Sequence, residues 1–144
     1  MTIYSENRRA RFDYAILETF EAGLVLTGQE VKSVRKGQMD LSASHAIFQK
    51  GELWLLNATI PPYQPMNTPT DYEPDRKRKL LLNKVELRRF TTLLKEKGQH
   101  LIALRVYDKK GLIKLELGLA KKKKKSDQRE DLKKRATMRE IRGA

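Results

Sequence analysis

The side chains with chemistry to offer in this sequence are mostly cations. Lysine and arginine number 31 against 18 aspartates and glutamates, a formal net charge of +13. Five of them run together as Lys121, Lys122, Lys123, Lys124 and Lys125, and a charged stretch with Asp127, Arg129, Lys133, Lys134 and Arg135 follows. A second group, Arg8, Arg9 and Arg11, lies near the start, and a third, Arg76 to Lys79, lies mid-chain. An excess of this size belongs to a binder of polyanions. Nucleic acid is the first candidate and an anionic membrane surface the second.

Residues for making and breaking bonds are sparse. No nucleophile motif, phosphate-cradling glycine loop or pair of histidines at ligand spacing occurs. His45 and His100 are lone histidines in strand patterns and read as structural. Asp71, Glu73 and Asp75 alternate like calcium ligands, but the loop glycine and terminal glutamate are absent and four bases follow. A barrel nuclease using acidic metal ligands with an arginine is the sharpest enzymatic alternative, and no convincing trio serves it. The expectation is a protein that is not an enzyme and holds no metal or cofactor. There is no cysteine, so disulfides and thiolate metal sites are excluded and a reducing, cytoplasmic compartment fits. Met1 to Arg11 is polar and basic, unlike a secretory signal, and no run of 18 apolar residues could span a bilayer.

The elements that must carry these cations are mainly strands. Ile113, Leu115, Leu117 and Leu119 alternate with Lys114, Glu116 and Gly118, the pattern of a half-buried strand. Beyond it the chain changes regime: residues 121–144 hold 11 Lys/Arg against 4 Asp/Glu. The division expected is a single folded body over residues 1–120 and a basic tail over residues 121–144. Leu132, Ala136, Met138 and Ile141 offer the tail too little apolar area to offset about 1–2 kcal/mol of backbone entropy per ordered residue. Its helix propensity is fair, with Glu130 and Lys134 at i,i+4 spacing. The tail is therefore expected to be disordered when free.

Within the body, a strand pattern runs from Phe12 through Leu26, with Gly23 the expected bulge or bend. Thr27 and Glu30 offer a capping box for a two-turn helix that Gly37 stops, with Lys32, Arg35 and Lys36 off its apolar stripe. Glu30 reads as the cap, a general base being the alternative. Ser44 to Asn57 forms a hairpin around Lys50-Gly51. Trp54, inside it, is either core, the favoured reading, or a base-stacking platform. All five prolines fall between Pro61 and Pro74, and Pro61 to Lys79 reads as a long surface loop. Leu80-Leu81-Leu82 runs into a second helix, capped by Asn83 with Glu86, displaying Leu87, Phe90 and Leu94, and stopped at Gly98. His100 to Asp108 is a strand that turns at Asp108-Lys109-Lys110-Gly111 into the last one. Five to seven strands with inserted helices fit an OB-type closed barrel, mainly β, rather than a parallel sheet.

Several of these stretches together resemble one family. Asn7-Arg8-Arg9-Ala10-Arg11-Phe12-Asp13-Tyr14, Phe20-Glu21-Ala22-Gly23, Gly28-Gln29-Glu30-Val31-Lys32-Ser33, Arg78-Lys79-Leu80-Leu81-Leu82 and Gly118-Leu119-Ala120-Lys121 look like the signature segments of the small protein B (SsrA-binding protein) family. The similarity is collinear and covers essentially the whole chain. It implies an OB-fold barrel with added helices, no catalysis, and binding to the tRNA-like domain of transfer-messenger RNA in bacterial ribosome rescue. It places Asn7, Glu21 and Leu81 on the RNA-binding surface, Leu81 either touching RNA or packing beneath it. It also implies that the tail from Lys121 enters the vacant mRNA channel of the small ribosomal subunit and becomes helical there. Two positions depart from the family pattern. Lys122 stands where a hinge glycine is usual, and Gln128 replaces a lysine whose charge Lys125 offsets. Arg8, Arg9, Arg11, Lys32, Arg35, Arg76, Arg78 and Lys79 are the cations expected to grip phosphates, on a protein expected to be monomeric. A basic ribosomal or ribosome-assembly protein is the leading alternative. Membrane binding is a weak third, because the lysine run lacks an amphipathic aromatic face.

Overall fold

Alternation decides which side of each strand faces in, and twist brings the sheet round on itself. The computed structural model describes residues 1–95 and 98–143, with side chains as far as Thr137. The elements are β1 (Ile3–Glu6), α1 (Ala10–Asp13), β2 (Tyr14–Leu24), α2 (Gly28–Arg35), β3 (His45–Gln49), β4 (Glu52–Leu56), β5 (Arg78–Leu81), α3 (Lys84–Leu93), β6 (Gln99–Lys109), β7 (Leu112–Lys122) and α4 (Lys125–Gly143). The strands form one antiparallel sheet in the order β1-β6-β3-β4-β5-β2-β7, and β7 pairs back onto β6 to close a ring. β7 takes one edge of β6, so β3, at Leu101, and β1, at Arg105–Tyr107, share the other. The expected closed, mainly β body with added helices is met in this ring.

The inside of the ring is apolar because each strand contributes one face. Leu53 and Leu55 of β4, Leu80 of β5, and Leu115, Leu117 and Leu119 of β7 are all buried there. α3 closes against this core with Phe90, whose ring meets Phe20 edge-on at 4.0 Å between centroids. Asn83 caps α3 as expected, its side-chain oxygen accepting the Glu86 N–H at 2.8 Å. The helix ends at Leu93, and Gly98, at φ +82°, belongs to the turn entering β6.

A second, smaller cluster lies outside the ring. Ala10 of α1 packs on Ile102, Leu104 and Ala120, with Tyr14 and Ile16 beside it. From the sequence this segment reads only as a basic stretch. The apolar side of Ala10 instead folds one helical turn against the sheet and fixes where Arg8, Arg9 and Arg11 leave it.

Two strand expectations are corrected. The register of β2 slips between Ile16 and Glu18, so the bulge is at Leu17 rather than Gly23. Gly23 is where β2 changes partner, pairing with Lys114 of β7 and Leu81 of β5. A Cβ there would lie 3.2 Å from the Leu81 Cβ, a close approach that glycine permits. Arg78 to Leu81 is a strand, so the loop ends earlier than expected and carries one short 3-10 turn at Pro65–Asn67. β7 runs on through Lys122, which pairs with Tyr14, beyond the alternation that ends at Leu119.

The basic tail carries the helix α4, none of whose described side chains is buried, in keeping with the expectation of a tail that loses its order when free. The ion pair that supports it is Lys123–Asp131 rather than Glu130–Lys134. The side chains of Met138 and Ile141 lie outside the described residues.

Candidate nucleic-acid interface

The capping box that starts α2 also fixes the mid-chain bases. Thr27 accepts the Glu30 N–H at 3.3 Å and Glu30 accepts the Thr27 N–H at 2.9 Å. Glu30 is wholly buried, and its other oxygen accepts from Arg78 Nε at 2.7 Å and Arg76 Nε at 3.1 Å. Burial alone would raise the Glu30 carboxyl. Hydrogen bonds from Arg76 and the Thr27 N–H, with the Arg78 charge, outweigh it and hold the pKa below its ordinary value. Arg78 is also wholly buried and donates to the carbonyls of Ala58 (2.7 Å) and Pro74 (2.9 Å). The assignment of Arg78 to a phosphate grip is therefore corrected: it ties the long loop to α2. Arg76 commits its guanidinium to the same carboxylate.

The remaining cations fall on the outside of the ring. At one end, Arg8 and Arg11 border a concavity of about 370 Å³ with Asn7, Thr19, Arg105 and Glu116. Asn7 is half-buried, and its side-chain amide donates to the carbonyls of Ala103 (3.0 Å) and Leu41 (3.3 Å). Arg9 pairs with Asp13 at 3.6 Å and stands 5.1 Å from the Phe12 ring.

Register carries the surface onward. Glu21 opposes Glu116, which opposes Arg105, and two hydrogen bonds of 3.0 and 3.2 Å hold the Arg105 guanidinium to Glu116. The Glu21 carboxylate accepts from the Tyr107 hydroxyl and from Lys109 Nζ at 3.2 Å. The Tyr107 hydrogen bond, helped by Lys109, lowers the Glu21 pKa, and burial together with that carboxylate raises Tyr107 far above its ordinary value. Glu21 thus stays an oriented anion within a cationic surround.

Two residues on, Leu81 is 52% exposed, on the outer side of β5 over Gly23. Lys79 follows on the same side, paired with Glu52 at 3.2 Å. Trp54 lies opposite Lys79 in the ladder and faces outward, because its neighbours Leu53 and Leu55 fill the core. The favoured reading of Trp54 as core is corrected.

Arg35 reaches the β6–β7 turn, donating to the Gly111 carbonyl at 3.2 Å. Lys32, with Lys36, stands over Tyr63 and lies apart from the strip. In the tail, Lys121 and Lys122 belong to β7, and Lys123 donates its N–H to the Asp13 carbonyl at 2.9 Å. Lys124, Lys125, Asp127, Arg129, Lys133 and Lys134 are exposed, and Arg135 stands 5.4 Å from Phe12.

Sequence reasoning missed Arg105, Tyr107 and Lys109. Their alternation along β6 was legible, but which phase faced out was not. His45 and His100 line a cavity of about 680 Å³ beside α1, where Tyr14 meets His100 edge-on at 6.0 Å. Among the described residues, no group of three His, Cys, Asp or Glu could hold a metal ion. No described helix is long and apolar enough to cross a membrane.

A closed antiparallel ring with a cationic outer strip and an appended basic helix defines a small polyanion-binding module of the OB-like kind. The family model described as "SmpB protein" matches residues 4–144, and the chain belongs to that family. An SsrA-binding protein of Desulforudis audaxviator is 53% identical over 136 residues, 94% of this chain and 88% of the relative. One from Thermosynechococcus vestitus is 48% identical over 139 residues, 96% of this chain and 91% of the relative. A chain from the solved structure described as "tmRNA-SmpB: a journey to the center of the bacterial ribosome" matches with a TM-score of 0.68 and 50% identity. That match covers 83% of this chain and 84% of the other.

Proposed function

We propose that this protein binds the tRNA-like domain of transfer-messenger RNA and carries it to stalled ribosomes for rescue by trans-translation. It acts in the cytoplasm as a monomer, by recognition and without catalysis of its own. The observation that carries this reading is one continuous outer strip. It joins Asn7, Arg8 and Arg11 through Arg105 to Glu21, Lys109, Leu81 and Lys79, on a chain whose relatives are SsrA-binding proteins.

Folded RNA presents its backbone, its shape and its unstacked bases rather than readable groove edges. The arginines and lysines suit phosphates. Glu21, fixed and anionic, suits base amino or imino groups or a 2′-hydroxyl, and Asn7 can serve from its acceptor oxygen. Leu81 gives the strip an apolar contact. Arg9 and Arg35 add cations at its margins.

The tail, from Lys121, enters the vacant mRNA channel of the small subunit. Lys121 to Lys125, Arg129, Lys133, Lys134 and Arg135 meet ribosomal RNA, with Asp127 oriented among them. Off the ribosome, α4 exchanges with unfolded forms, since few of its side chains are buried.

Filter binding to a transcribed tRNA-like domain tests the body. Glu21→Ala and Asn7→Ala are each expected to weaken binding by about tenfold, the worth of about one charge-assisted hydrogen bond, with circular dichroism unchanged. Wild-type affinity in both would refute the assignment.

A further inference from the structure

We propose that Trp54 is a stacking platform for an unpaired base of the bound RNA, extending the recognition strip beyond Lys79. The proposal rests on the RNA-binding reading above and adds a contact that neither the family resemblance nor the comparisons assign.

Three observations point to it. First, the indole is on the solvent side of β4, although it sits between Leu53 and Leu55, which are 1% and 0% exposed. The core is filled without it. Second, Trp54 is in register with Lys79 of β5, and Leu81, two residues along β5, is in register with Gly23 of β2. Glu21 lies two residues further along β2, so Trp54 and Glu21 occupy one face. Strand spacing puts them roughly 17 Å apart, four residues along and two strands across. Third, the indole stands among cations. Lys77 Nζ is 4.5 Å from its ring centroid, and Lys79 is its ladder neighbour.

A half-exposed indole beside two lysines has the composition of single-strand contacts, in which a base stacks on the ring while cations take the flanking phosphates. Both lysines are lightly held: Lys77 donates to Gln49 Oε1 at 3.1 Å and Lys79 pairs with Glu52 at 3.2 Å, at exposed positions. A stacked base outweighs an exposed cation–π contact. Lys77 can therefore leave the ring for a phosphate as the base arrives.

Trp54 is the only tryptophan, so its emission reports the site in the intact protein. Full-length protein is titrated with transcribed tRNA-like-domain RNA, and emission, acrylamide access and filter retention are followed together. The expected result is quenching and loss of acrylamide access that saturate along the retention curve. Trp54→Phe should bind within about threefold of wild type, and Trp54→Leu about tenfold more weakly, both with unchanged thermal melts. RNA retained normally with emission and acrylamide access unaltered would overturn the proposal and leave the RNA-binding reading standing. So would wild-type affinity in Trp54→Leu. Protection that develops only when ribosomes are added would overturn it in favour of a ribosomal contact. No retention of the RNA at all would remove the RNA-binding reading and this proposal together.

Discussion

Burying Glu30 strips its carboxylate of solvent, and Arg76, Arg78 and the Thr27 N–H offset that loss. Removing the charge would leave Arg78 buried without its anion, at a cost of about 3–5 kcal/mol. Glu30→Gln should show this in urea denaturation at neutral pH. Because the folded pKa is lowered, the stabilisation is complete above the ordinary value of 4.5 and is lost as pH falls below it. The gap between wild type and Glu30→Gln should therefore narrow on acidification through that range, and a pH-independent gap would contradict the account. The capping role of Glu30 was legible because both partners lie within four residues. The burial of Arg78 was not, because its partner is 48 positions away and four consecutive bases look like a solvated run. Trp54 failed for a related reason. Leucines on both sides suggested core, and the phase of a short strand is fixed only by what it pairs with.

At the scale of elements, α1 is the piece that sequence pattern described least well. α1 is too short to show a helical period, and a single alanine anchors it. α4 is held to the body by the Lys123–Asp131 pair, the Asp13 carbonyl and Arg135 over Phe12, contacts near its start and middle. Its amides from Lys125 onward should exchange with solvent at least about a hundredfold faster than those of β7 in the free protein. Equal protection would mean the helix is part of the rigid body. β7 runs to Lys122, so a clean truncation falls after Lys124. That variant should keep wild-type affinity for the tRNA-like domain and lose peptide tagging in a reconstituted stalled-ribosome assay. Loss of both activities would place the tail in the RNA site.

For the whole molecule, the ring, strip and tail divide the work between recognition and delivery. The closed ring was legible from alternating strands and a lack of crossover helices, whereas the continuity of the strip depends on which strands neighbour one another. Electrostatics sets a measurable signature. If the strip neutralises about five phosphates, affinity should fall with a log–log salt slope of about −3.5 to −4.5, each arginine removed reducing it by about 0.7–0.9. Arg8→Ala and Arg11→Ala should follow that rule with stability unchanged, and a flat salt response would contradict phosphate gripping. The central claim is that one small RNA with a tRNA-like end is the body's partner. The most direct measurement is sequencing of RNA crosslinked to the protein in cells. The account predicts transfer-messenger RNA as the dominant species, with crosslinks clustered in its tRNA-like domain. Recovery of ribosomal RNA alone, with no enrichment of that domain, would contradict it.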